Sequence, residues 1–544
     1  MSRKHRARHW GTALCASAVL VLAGCGGGQN AAQSPVKDQV KLVDSTPAAA
    51  GQLDQATWFM PKEPRSLDLD ADAANSQSDL IMANVCDRLL QLQPDLTLKP
   101  GLAEKHEWKD KNTLVFTIRQ GVKFHDGSTM TADDVLWSLQ RHSADGASES
   151  DEYVNVTGVA KTGPNEVTVT FKQPDAVFVE AIAGDAGVVW SRKGVESQGK
   201  KFGTPDGKDA CTGPFELSEW APGKQIVLTK SATYWNPEKA AKTDKITFKW
   251  GSDDVIVNSL VTGAATGSYL ENLSSATQLA GGTVTTVSQG PDTRVWNLMV
   301  TEKGALKDVR LRKALALAVD REGVSKAALS SLGQPWKEPV GSGAWGYEKE
   351  KFQTAYDAIG GLPAAPQQAD IDAAKKLVQE VGQTQPIVVA SDGSPVRNVI
   401  ANAVVDAAQK IGLQASITQI PTQGYDMSDE SVRKTADLFS DDYFISKNDP
   451  VGFYKNGASN STVQWLLRDP AYDELVNKGR AALEDAERAT IAIELAKRWT
   501  DAMPWIPLVQ SPSTVALSTK VTGVPASGCY RYYPWAADLG TKGA

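Results

Sequence analysis

From residue 53 to the C-terminus run about 490 residues of mixed polar and apolar pattern, with no internal stretch of about 20 apolar residues to span a bilayer. One hydrophobic core does not organise a chain of that length, so two or more domains follow. Strand and helix signals alternate along it. Ala56–Met60, Leu114–Arg119, Val227–Lys230 and Ile246–Trp250 read as strands. Helical apolar spacing covers 77–92, 309–319, 372–382, 396–411, 470–483 and 486–502. The 396–411 helix runs into the strand 413–420, an αβ unit, and no fixed-period repeat appears. The class is α/β.

The first 25 residues set the compartment. Arg3, Lys4, Arg6 and Arg8 precede an apolar run from Ala13 to Ala23, too short to span a membrane. The run ends at Leu22-Ala23-Gly24-Cys25, which resembles a bacterial lipobox, with Cys25 lipidated as the mature N-terminus. The resemblance implies an exported protein anchored by lipid on the extracytoplasmic face. Residues 26–52, rich in Gly, Ala, Gln, Ser and Pro, read as a flexible linker, with folding expected from Leu53.

The formal net charge of −7 becomes about −11 once the four basic signal residues leave, which argues against a nucleic-acid partner. Cys86, Cys211 and Cys529 match no metal spacing. An exported chain can join two of them; Cys211 with Cys529 is expected, leaving Cys86 a buried thiol. Enzyme signatures fail on context. Gly341-x-Gly343-x-x-Gly346 follows a proline-containing loop rather than a strand. The phosphate-loop pattern ending at Gly199-Lys200 has Lys201 where a hydroxyl must hold magnesium. His106, His125 and His142, the histidines left after the signal, fall in one region of the chain, and no cofactor or metal is expected.

Asp437–Pro450 holds the candidate site. It reads as a strand end running into a loop, with Phe439, Asp441, Asp442 and Tyr443 in sequence. Adjacent residues of a strand point to opposite faces, so only one of the two aspartates faces a given cleft. A carboxylate framed by aromatic rings suits a cation such as a peptide's terminal amine.

Several ordered motifs closely resemble the family 5 extracellular solute-binding proteins, the peptide- and nickel-binding components of ABC importers. They are Leu98–Ala103, the run from Trp108 to Gly127, and Thr131-Ala132-Asp133-Asp134-Val135 with Thr131 as a helix N-cap. Thr212-Gly213-Pro214-Phe215, Tyr234-Trp235, Asp308–Leu315 and Ile411-Gly412-Leu413 follow in order. The resemblance implies a two-lobe periplasmic-binding-protein-like fold with an extra domain, and a ligand cleft between lobes joined by a two-strand hinge. It implies lobe 1 from 53–82, 205–292 and 505–544, an extra domain at 83–204, and lobe 2 at 293–504.

The implied function is capture of oligopeptides and delivery to a permease and its ATPase. Asp442, in an aromatic-x-x-Asp-Tyr pattern, would take the peptide's amino terminus, with Asp441 a possible substitute. Asn75 in the segment 72–76, Tyr269 and Trp296 fall at pocket-lining positions. Residues 444–448 lengthen the usual loop after Tyr443, which keeps other cargo open: a nickel chelate, a sugar, an antibiotic or a cationic metabolite. A peptide-signal receptor needs only the same cleft. A hydrolase would have to work with Asp441, Asp442 and Asp449, without a recognisable nucleophile.

Overall fold

The computed structural model describes residues 41–71, 76–421, 427 and 429–543; Cys25 and Asn75 lie outside them. A seven-stranded sheet is centred on Leu53–Met60, where Ala56, Trp58 and Met60 are buried at alternate positions. This strand runs parallel to Thr243–Trp250 on one side and Gly267–Tyr269 on the other. Gly267 is demanded by close approach, because a Cβ there would lie 2.4 Å from the Trp58 ring. Gln225–Lys230 and Phe215–Ala221 extend the sheet beyond Thr243–Trp250, and Ser513–Ser518 and Thr285–Gly290 extend it beyond Gly267–Tyr269.

A six-stranded sheet is built on Val295–Val300, flanked antiparallel by Leu438–Tyr443 and Trp505–Gln510. Ile387–Ser391 and Ala415–Gln419 continue it in parallel, joined by the helix Pro395–Lys410. Trp505–Gln510 corrects the expected grouping of all of 505–544 with the first strand. Its residues are all buried and pair with Val295–Val300, so the chain leaves this sheet only after Gln510.

Two crossings connect the sheets, at residues 291–294 and at 511–512, between the strands 285–290 and 295–300 and between 505–510 and 513–518. The Ser511 amide donates to the Arg294 carbonyl at 3.1 Å, so the crossings lie side by side. This is the two-lobe α/β architecture with a two-strand hinge. The Gly341-x-Gly343 spacing serves the hinge, because a Cβ at 341 would lie 2.3 Å from the Asp292 carbonyl oxygen.

A four-stranded antiparallel sheet spans Ala103–Asp110, Thr113–Ile118, Glu166–Phe171 and Val156–Gly163. The helix Ala132–His142 packs on it, with Thr131 and Asp134 forming a capping box. His125 is structural: Nδ1 meets Asp209 at 2.5 Å and Nε2 meets the Gly213 carbonyl at 2.9 Å.

Three local expectations are corrected. The helix expected over 77–92 stops at Met82, and the chain turns into the strand Leu90–Leu92, whose apolar residues face the same core. The disulfide joins Cys86 to Cys211, with Cα atoms 4.8 Å apart, and Cys529 is the buried free thiol. The two segments are brought together by the Gly213 amide donating to the Val85 carbonyl at 2.8 Å. Folding begins before Leu53: Thr46 is buried and its amide donates to Val524, while Val43 donates to Gln289.

Candidate functional site

Antiparallel pairing puts Trp296 of one strand directly opposite Asp442 of the other, and directly opposed residues share a sheet face. On that face they line a cavity of about 320 Å³, at the lower end of the range for small-ligand sites. Arg294, Ser511 and Pro512 from the crossings line it too, and the seven-stranded side contributes Asp253, Glu271 and Asn272. The cavity therefore lies at the hinge, between the lobes.

Its charges interlock. Arg294 Nη1 stands 3.8 Å from Asp442 Oδ2, and its Nε stands 3.4 Å from Asp292 Oδ2. Asp292 also lies 3.6 Å from Arg531. The other Asp442 oxygen, Oδ1, is buried and accepts no hydrogen bond among the described residues. Burial pushes the Asp442 carboxyl up to about 6; Arg294 pulls it down, while Asp441 and Asp292 push it up. Burial works against the Arg294 charge, but Asp292 and Asp442 more than offset it and raise its pKa. Asn272 donates to Asp253 at 2.8 Å and Gln77 to Glu271 at 2.9 Å, which holds the lobe 1 carboxylates in place.

The other expected residues scatter. Asp441 points to the opposite face and meets Arg397 at 3.2 Å, and Arg397 also reaches Asp392 at 3.0 Å and stacks on Trp296 at 5.8 Å. Phe439 does not frame Asp442. Three residues apart in a strand means opposite faces, and Phe439 is fully buried against Ala390, Ile420 and Ala436. Tyr443 turns its ring onto Phe453 and Trp505, and its hydroxyl accepts from Asn456 at 3.2 Å. Tyr269 is core rather than pocket wall: it stacks on Tyr530 at 3.8 Å and donates to the Pro525 carbonyl. Asp449 caps the helix Pro450–Tyr454 and pairs with Arg488 at 2.7 Å, so it does not join Asp441 and Asp442. Among the described residues, no group of three His, Cys, Asp or Glu side chains is placed to hold a metal ion.

The sequence reading did not single out Asp253, Glu271 or Arg294 as site residues. Arg294 carries one signal: it stands at the crossing between the two sheets. Asp253 and Glu271 come from a different part of the chain, and nothing local marks them.

The model for bacterial extracellular solute-binding proteins, family 5, matches residues 97–465. The chain is 24% identical over 554 residues to heme-binding protein A of Haemophilus influenzae, covering 94% of this chain and 96% of the relative. It is 26% identical over 488 residues to the glutathione-binding protein GsiB of Escherichia coli, covering 83% and 88%. The periplasmic binding protein DppA of Helicobacter pylori, solved with the peptide STSA, superposes with a TM-score of 0.72 at 19% identity, covering 91% of this chain and 99% of that one. With the interlobe cavity and this match across most of its length, the chain belongs to the bacterial extracellular solute-binding proteins of family 5.

Proposed function

We propose that the protein is the lipid-anchored, extracytoplasmic binding component of an ABC importer, and that it captures short peptides in the hinge cavity. The peptide's terminal ammonium sits on Asp442. One observation carries this reading: among the described residues, Asp442 offers a buried oxygen without a hydrogen-bond partner, in a cavity where Asp253, Glu271 and Asp442 outnumber Arg294. An ammonium has donors for that oxygen and charge for that excess. The flat side of Trp296 supplies apolar area beside it.

Glutathione is a tripeptide, so the resemblance to a glutathione-binding protein supports cargo of this size. Closure about the crossings 291–294 and 511–512 traps the peptide, and the closed form docks on a permease driven by its ATPase. Lipidation at Cys25 keeps the protein near that permease; Cys25→Ala is expected to release it from the membrane fraction.

Calorimetry with trialanine tests the anchor. Asp442→Asn is expected to weaken binding about ten- to a hundredfold, a loss of ~1.4–2.7 kcal/mol. Unchanged affinity would remove Asp442 from the site. A cationic metabolite is the competing cargo, because excess carboxylate alone favours it. Native mass spectrometry of the protein as purified separates the two: released peptide masses support the reading, and a single non-peptide mass replaces the cargo.

A further inference from the structure

A second cavity, of about 340 Å³, opens on the other side of the strand end, where Tyr443 and the following residues to Lys447 face the first lobe and extra domain. Asp79 of the helix Ser76–Met82, Glu149, Glu152 of the turn Ser150–Tyr153, and Asp185 line the opposing wall. Among the described residues, this wall holds more carboxyl groups than the cations beside it pair with. Asp185 is taken by Arg88 at 2.6 Å. Glu152 Oε1 is taken by Lys447, and Lys455 lies 3.3 Å from Asp151 and 3.7 Å from Glu152. Arg531 is held by Asp292 and lies over Phe444 at 5.0 Å. Asp79 and Glu149 are left with no ion pair among the described residues.

Glu152 points to an occupant. It is 3% exposed, it lines the cavity, and its Oε2 accepts no hydrogen bond among the described residues. An orphaned buried carboxylate oxygen is costly to maintain, and a donor entering the cavity would relieve it. Among the described residues these carboxylates form no group of three placed to hold a metal ion. An ammonium or guanidinium bridges carboxylates that stand further apart, and Lys447 already shows that an ammonium fits against this wall.

We propose that this cavity is a second solute subsite, taking an organic cation: a primary ammonium or guanidinium on a short carbon chain. It does not depend on Asp442 as anchor. The state of the acids agrees. Burial, helped by Asp185, pushes Glu149 up to about 7 and Asp79 upward, so both lack a full counter-charge. The cation has two possible sources, a free amine and the basic side chain of a captured peptide.

Calorimetry on the full mature chain distinguishes them, with three probes: agmatine, trialanine, and a tripeptide ending in arginine. The variant is Asp79→Asn with Glu149→Gln. Among the described residues neither carboxylate has an ion partner to strand, and Glu149→Gln alone is the second test if the pair does not fold. If agmatine binds and weakens about tenfold in the variant, the site takes a free cation. If agmatine is silent, the arginine peptide is expected to bind about tenfold tighter than trialanine, and the variant to reduce that ratio to about threefold or less. Agmatine binding without trialanine binding would refute the peptide reading and leave this subsite standing. No cation binding or preference in the wild type, or one that survives the substitutions, overturns the proposal.

Discussion

Asp441 and Asp442 are neighbours on one strand, and each faces an arginine, yet they live in different circumstances. Asp441 makes a 3.2 Å contact to Arg397, which is itself anchored by Asp392 and by the Ser440 carbonyl at 3.1 Å. Among the described residues, Asp442 has only a 3.8 Å contact to Arg294, which also leans on Asp292, and it leaves one buried oxygen unsatisfied. The same residue type with the same kind of partner is thus complete on one face and incomplete on the other. Buried polar groups are nearly always satisfied, and for that reason we place the ligand's ammonium at the incomplete one. The acidic cavity beyond Tyr443 repeats the pattern with Glu152.

The comparison breaks or sharpens with substitutions along this strand. The largest effect is expected for Phe439→Ala, which empties a fully buried position on the Asp441 face and costs about 3–5 kcal/mol in urea unfolding. Peptide affinity should survive that change; its collapse would put Phe439 back at the cleft. The loss expected for Asp442→Asn comes next.

Smaller is the pH effect on Asp442. Its folded carboxyl titrates near 6, above the ordinary value near 4, so the folded protein holds a proton that the unfolded chain has released. Stability from this group is present below about pH 4 and is lost as pH rises towards about 6. A bound ammonium offsets that loss. The rise in Tm on adding trialanine should therefore be greater at about pH 7.5 than at about pH 5. An equal rise at both would separate the ligand from this carboxylate. The smallest effect is expected for Asp441→Asn, below about 1 kcal/mol of stability by thermal unfolding, with peptide affinity unchanged by calorimetry, since its partner pair is partly exposed.

Local signals were legible where local physics decides. Thr131 and Asp134 announce a helix start because a cap needs only neighbours in sequence. The opposite facing of Asp441 and Asp442 follows from strand geometry. Long-range partners were not legible. Spacing gave no means to prefer Cys86 over Cys529 for Cys211, since the choice depends on Gly213 pairing with Val85. The aromatic-x-x-Asp pattern placed Phe439 beside Asp442 in sequence, while the strand sends it to the other face and into the core. Residues 41–52 read as linker by composition, but Thr46 is buried because the C-terminal segment near Val524 comes back to meet it.

By itself the sequence determined the α/β class, the family resemblance and the strand that carries Asp442, since these rest on periodicity, caps and ordered motifs. Only the tertiary structure decided which charges share a cavity. Arg294 comes from a crossing, Asp253 and Glu271 from the opposing lobe, and Asp79, Glu149 and Glu152 from the wall facing Lys447. Whether a carboxylate is satisfied depends on partners brought from hundreds of residues away, and chain order does not encode that distance.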